Sequence, residues 1–446
     1  RSYYDSNGSG TFVGLAGDLN LAALLGGSDS TPPSATTITP LNTGPTNADS
    51  VSFNVTFSEN VVNFNNASDE IITHSGTSHG GVTITGSGSA YTANVTGISG
   101  TGSFTLEARV GSDIQDSSGN PLSSSVTSAS VSIDNQAPSL SITAPSSDLT
   151  NTGPVTFTVN YSGASAITLQ DGNITLNQTG SANGSVSVSG SGTSNRTVTI
   201  NNITGDGSLG ISIAAGTASD TVGNSALASG PSTTFEVDNT APSIIELVPY
   251  VMGPTNQSTV SIGIVFSEDV FNFNSSNDVI ITHNGTANSG VTITGANSHY
   301  QADVMDVTGN GSFTLKGNTG SDVQDQAGNS LTAGITSESV FIDNVAPELS
   351  ISAPTPAETT NGPVNYTITY SGADSVLLDN GFITLNKTGN ADGSVNVSGS
   401  GNSSRTVTIS NITGSGTLGI SIATESAYDN AGNSAGASGP SSEVRV

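Results

Sequence analysis

The chain contains no cysteine, so neither a disulfide nor a thiolate metal site is available to hold it together. It has no tryptophan and only 5% aromatic residues. That disfavours a carbohydrate- or ligand-binding module, because sugar platforms rely on aromatic faces. Basic residues are scarce as well: seven Lys and Arg stand against 35 Asp and Glu, a formal charge of −28. Neutralising phosphates requires clustered cations, so no nucleic acid is expected as a partner, and no anionic membrane surface either. Apolar runs fall short of the ~18 residues of a membrane span, and no direct membrane insertion is expected. Walker loops, zinc spacings, GxSxG elbows and dinucleotide fingerprints do not occur. His74 and His283 sit at matched positions in "IITHSG" and "IITHNG" and read as strand-end residues. A non-enzymatic chain is expected. It opens at Arg1 with neither an initiator Met nor a signal peptide, so we expect a processed chain or a fragment.

What the sequence does have is order in its apolar residues. They make up 33% of the chain and recur in short alternating runs between Gly, Asn, Asp and Ser clusters, the pattern of strands joined by turns. Val51, Phe53, Val55 and Phe57 alternate with Ser52, Asn54 and Thr56, giving one apolar and one polar face. Val260, Ile262, Ile264 and Phe266 repeat this, as do Val364, Tyr366, Ile368 and Tyr370.

A long repeat organises these runs. "DSTPPS" at Asp29, "DNQAPS" at Asp134, "DNTAPS" at Asp238 and "DNVAPE" at Asp343 are spaced 105, 104 and 105 residues apart. In step with them runs Asp-x-x-Gly-Asn, beginning at Asp116, Asp220, Asp325 and Asp429. Four copies at near-constant period mark tandem domains. The copies alternate in kind: "VSFNVTFSENV" matches "VSIGIVFSEDV" 209 residues on, and "GPVTFTVNYSGA" matches "GPVNYTITYSGA". We therefore expect an all-β chain of four Ig-like sandwiches in ABAB order, spanning residues 29–133, 134–237, 238–342 and 343–446, with a strand-like arm at 1–28. The combination of "GPTNADSVSFNVTFSENV", Asp-x-x-Gly-Asn and "DNTAPS" resembles the bacterial Ig-like repeats of large extracellular adhesins and surface fibres. The resemblance covers Asp29 to Val446, and it implies an extracellular, cell-surface or shed-filament setting.

In such a sandwich the incoming linker, the B–C loop and the F–G loop gather at one end. The linker carries Asp29, the B–C loop Glu59, and the F–G loop Asp113 and Asp116, so four carboxylates are expected to converge. Their repulsion calls for a cation, and calcium takes six to eight oxygens. Asp238, Glu268, Asp322 and Asp325 form the second such set. The B-type copies are poorer, because Gly163 and Gly372 replace the Glu, leaving Asp134 with Asp220 and Asp343 with Asp429. The resemblance likewise implies calcium at the junctions. The competing reading is structural, since Asp-x-x-Gly-Asn also makes a good turn.

The arm carries Val13, Leu15, Leu19, Leu21 and Leu25 on odd positions, the period of a strand with one apolar face. It reads as a donor strand that joins copies of the chain head-to-tail, as in donor-strand pili. A short helix behind Asp18, or the tail of an upstream domain, are the alternatives. The expected function is thus the subunit of a calcium-stiffened extracellular filament, or else a stalk segment of a large adhesin. Surface glycans are a further candidate partner, with Asn-x-Ser/Thr triplets at Asn94, Asn177, Asn284 and Asn411 among others.

Overall fold

The computed structural model describes residues 29–446; the arm with Val13, Leu15, Leu19, Leu21 and Leu25 lies outside the described residues. The described residues are all-β, their only helical turns being short 3-10 turns such as Ala67–Asp69. Among the described residues no helix is long and apolar enough to cross a membrane.

The alternating runs become strands with one buried face. Along Ser50–Val62, Val51, Phe53, Val55 and Phe57 are buried while Asn54 and Thr56 face water. Burying each such side chain contributes roughly 1.5–3 kcal/mol. These residues collect into four hydrophobic clusters, each drawn from one repeat of the sequence and enclosed by two sheets.

The third sandwich shows the topology most plainly. One sheet runs Ile244–Pro249, Thr259–Phe266, His299–Thr308, Asn288–Ala296, with every neighbouring pair antiparallel. The facing sheet runs Val279–Gly285, Gly311–Gly317, Val340–Ile342. In chain order this is ABED against CFG, the seven-strand arrangement of an Ig constant-type domain. The second and fourth sandwiches follow the same order. So does the first, except that Gly81–Thr96 runs unbroken where the third has two strands. No strand position is vacant in any of the four sandwiches, so a strand from outside would have to add to a sheet edge.

The A-type sandwiches share an aromatic wedge. Phe57, Phe64 and Tyr91 pack edge-to-face with centroids 5.2–5.8 Å apart. Phe266, Phe273 and Tyr300 repeat it at 5.0–5.7 Å. Each Tyr hydroxyl donates to a carbonyl, Val61 (2.8 Å) or Val270 (3.0 Å). The polar tip is thereby satisfied beside the core.

Candidate metal centres at the sandwich entrances

The loop expected to carry Glu59 is in fact strand. Ser50–Val62 continues past Glu59 because Val61 and Val62 pair with Asp116 and Gln115. That two-residue ladder, from the segment before the last strand, sets Asp116 beside Glu59. In the third sandwich the strand ends at Phe266, and a single bridge between Phe271 and Gln324 holds the corresponding segments together.

Carboxylate oxygens of Asp29, Glu59 and Asp116 lie within 4.8 Å of one another, as do those of Asp238, Glu268 and Asp325. Asp116 and Asp325 are buried, each 3% exposed. Their turns fix them rigidly. Asp116 Oδ1 accepts the amides of Ser118 (2.8 Å) and Asn120 (2.9 Å), and its Oδ2 accepts Asn120 Nδ2 (2.6 Å). Asp325 is held likewise by Gly328 and Asn329. The same Asn reaches back to the linker: Asn120 Nδ2 donates to the Asp29 carbonyl (2.7 Å) and Asn329 Nδ2 to that of Asp238 (2.8 Å). Linker and turn are thus clamped by one side chain.

The electrostatics of these trios are unrelieved. Burial pushes the Glu59 carboxyl above its ordinary value, and the charges of Asp29 and Asp116 push it further. Burial does the same to Glu268, followed by Asp325, Asp238, Asp206 and Asp269. Asp116 is lowered instead, first by the Asn120 side chain, so it stays ionised. Among the described residues the one ion pair is Lys387–Asp392, far along the chain, so no protein cation neutralises either trio. Three carboxylates with free lone pairs, only oxygen donors and no counter-charge fit a hard divalent cation such as calcium. Asp29, Glu59 and Asp116 would hold one ion, and Asp238, Glu268 and Asp325 another.

Asp113 and Asp322 are exposed and are not among the grouped carboxylates. Asp113 instead meets Asp69. At the B-type entrances the Asn clamp recurs without a third carboxylate. Asn224 Nδ2 donates to the Asp134 carbonyl and to Asp220 Oδ2, both at 2.7 Å. Asn433 donates to the Asp343 carbonyl (2.8 Å) and to Asp429 Oδ2 (2.9 Å). Burial raises Asp220, but the bonds from Asn224 and the backbone outweigh it and leave the carboxyl below its ordinary value.

A second set of residues escaped the sequence reading. Asn47 Nδ2 donates to Asn224 Oδ1 (3.3 Å), Asn151 Nδ2 to Asn329 Oδ1 (3.2 Å) and Asn256 Nδ2 to Asn433 Oδ1 (3.2 Å). Each bond joins one sandwich to the next, so every clamp Asn that follows another sandwich is also gripped from behind. The signal was available: Thr46-Asn47, Thr150-Asn151 and Thr255-Asn256 recur with the period of the repeat.

No family model matches the chain, and no curated protein does. Solved structures are similar to it at low scores. An Escherichia coli adhesin, FdeC, is 15% identical over 70% of this chain and 97% of its own, with a TM-score of 0.29. The titin I-band fragment I67–I69 is 12% identical over 70% of this chain and 99% of its own, at 0.28. The N-terminal eight Ig domains of Down Syndrome Cell Adhesion Molecule are 14% identical over 93% of this chain and 49% of their own, at 0.22. The Ig-like fold rests on the strand order of the described sheets.

Proposed function

We propose that the chain is a non-enzymatic structural segment of an extracellular surface protein, a stalk of Ig-like sandwiches whose A-type entrances are stiffened by calcium. The observation that carries this reading is the convergence of Asp238, Glu268 and Asp325 at a linker already gripped by Asn329 and Asn151. A cation there would tie linker, strand and turn into one body, while the inter-sandwich Asn pair limits bending. Scattering and sedimentation of the chain in millimolar calcium and in chelator test the reading. Calcium should lengthen the particle and raise its melting temperature; identical profiles in both conditions would sink it.

The filament reading keeps one specific support, the alternating apolar strip at Val13, Leu15, Leu19, Leu21 and Leu25. With no strand position vacant in the described sandwiches, that strip would join a neighbouring copy along a sheet edge. Negative-stain microscopy of the intact chain beside one lacking residues 1–28 separates the two: fibres from the intact chain alone favour the filament, monomeric rods from both the stalk.

A further inference from the structure

Buried side-chain oxygens and nitrogens of the described residues have hydrogen-bond partners, with three exceptions: Asp69 Oδ1 and both carboxylate oxygens of Glu70. Three orphans in two consecutive residues call for a common cause. Asp69 ends the turn Ala67–Asp69 and is fully buried. Its Oδ2 accepts the amides of Asn65 (3.1 Å) and Asn66 (3.0 Å). Its Oδ1 accepts nothing; burial raises the Asp69 carboxyl, and the neighbouring Asp113 carboxylate raises it further. Glu70, 4% exposed, occupies the position that Val279 fills in the third sandwich. The cation of this spot, Arg109, turns its Nη2 to the Glu70 carbonyl (3.3 Å) rather than to a carboxylate.

Two carboxylates in contact must share a proton or a cation. The surroundings favour the cation. Asp113 is exposed and lines an open cleft with Asn66, Ser68, Arg109, Gly111 and Ser112; the Arg109 guanidinium is turned to the Glu70 carbonyl, so an ion can enter and find further oxygens. Nitrogen and sulfur ligands are missing, which selects a hard ion. We propose that Asp69 and Asp113 hold a divalent cation of the calcium class in this cleft, with Glu70 behind them supplying a third negative charge. The site is separate from the entrance trio and does not depend on it. It belongs to the first sandwich alone: Val279 replaces Glu70 in the third, Asn318 replaces Arg109 and donates to the Asn277 carbonyl (2.7 Å), and Asp278 has no orphaned buried atom.

The test counts calcium ions per chain by equilibrium dialysis and elemental analysis, using full-length protein. Asp113→Asn alters an exposed residue and leaves the fold intact; it should bind one ion fewer than the parent. Asp69→Asn should match it. The same single loss should appear in a Glu59→Gln, Glu268→Gln background, where the entrance trios are disabled. Asp322→Asn, the matched change in the third sandwich, should keep the parent's count. Equal counts for parent and Asp113→Asn overturn the proposal and assign a shared proton to the pair. If only the Glu59→Gln, Glu268→Gln chain loses ions, the entrance reading survives and this one falls alone.

Discussion

Replacing Asn329 by Ala separates what the clamp contributes from what a metal contributes. The substitution removes three side-chain bonds: to the Asp238 carbonyl (2.8 Å), to Asp325 Oδ2 (2.7 Å) and from Asn151 Nδ2 (3.2 Å). A bond to a charged acceptor contributes about 1.5–3 kcal/mol and a neutral one about 0.5–1.5. The site is only part-buried, so water repairs some of the loss, and the expected cost is about 2–4 kcal/mol. For a sandwich of this size that lowers its melting transition by about 10 °C or more. Asn151→Ala removes the inter-sandwich bond alone and should cost about 0.5–1 kcal/mol. The double variant should cost no more than Asn329→Ala itself, because both changes delete that shared bond. Calorimetry of the full chain in EDTA reads these shifts transition by transition. Equal shifts from the two single variants, or none from Asn329→Ala, would refute the assignment of Asn329 as the clamp.

Further outcomes follow from the same geometry. In excess calcium, Glu268→Gln should abolish the stabilisation of the third sandwich, about 2.7 kcal/mol at 100-fold above the dissociation constant. In EDTA the same change should raise the melting temperature, because it relieves burial of a charge and repulsion from Asp325 and Asp238. In calcium-free solution the Glu70 carboxyl, pushed from its ordinary 4.5 up to about 8 by burial and then by Asp69, makes the first sandwich pH-sensitive. The folded state holds that proton more tightly. Its contribution is therefore full below pH 4.5, declines above it and is lost past about 8, a change of up to about 5 kcal/mol that Glu70→Val should flatten in pH-melting curves. Phe266→Ala, which empties the wedge shared with Phe273 and Tyr300, should cost about 3–5 kcal/mol in denaturant titration.

How much of this was legible depends on the range of the interaction. Strand interiors such as Val51–Phe57 and Val260–Phe266 declare themselves by alternation, because a side-chain period of two is a local property. The repeat likewise brought Asp29 together with Asp116, and Asp238 with Asp325, on paper. What could not be read was the strand continuing through Glu59, since it depends on Val61 and Val62 finding Gln115–Asp116 some fifty positions later. The aim of Asp113 was hidden for the same reason: being in the right loop does not say which way a side chain turns. Asp69 and Glu70 gave no warning at all. Their chemistry comes from a buried setting that only packing creates, and Val279 at the matched position shows that the strand forms equally well without it.

The last strand of each sandwich also lies alongside the segment following the first, and the two run parallel. Glu236–Val237 pairs with Leu149–Thr150, and single parallel bridges join Thr46 to Ile133, Thr255 to Ile342 and Glu358 to Arg445. Asp134, Asp238 and Asp343, the residues that leave these strands for the next unit, donate their amides to Thr46 (3.0 Å), Thr150 (3.1 Å) and Thr255 (3.0 Å). A pull on the two ends of the chain therefore drags these neighbours past each other lengthwise, loading their bonds together rather than one after another. Tension is borne by a shear joint at the exit of each unit, next to the residues that clamp the following one.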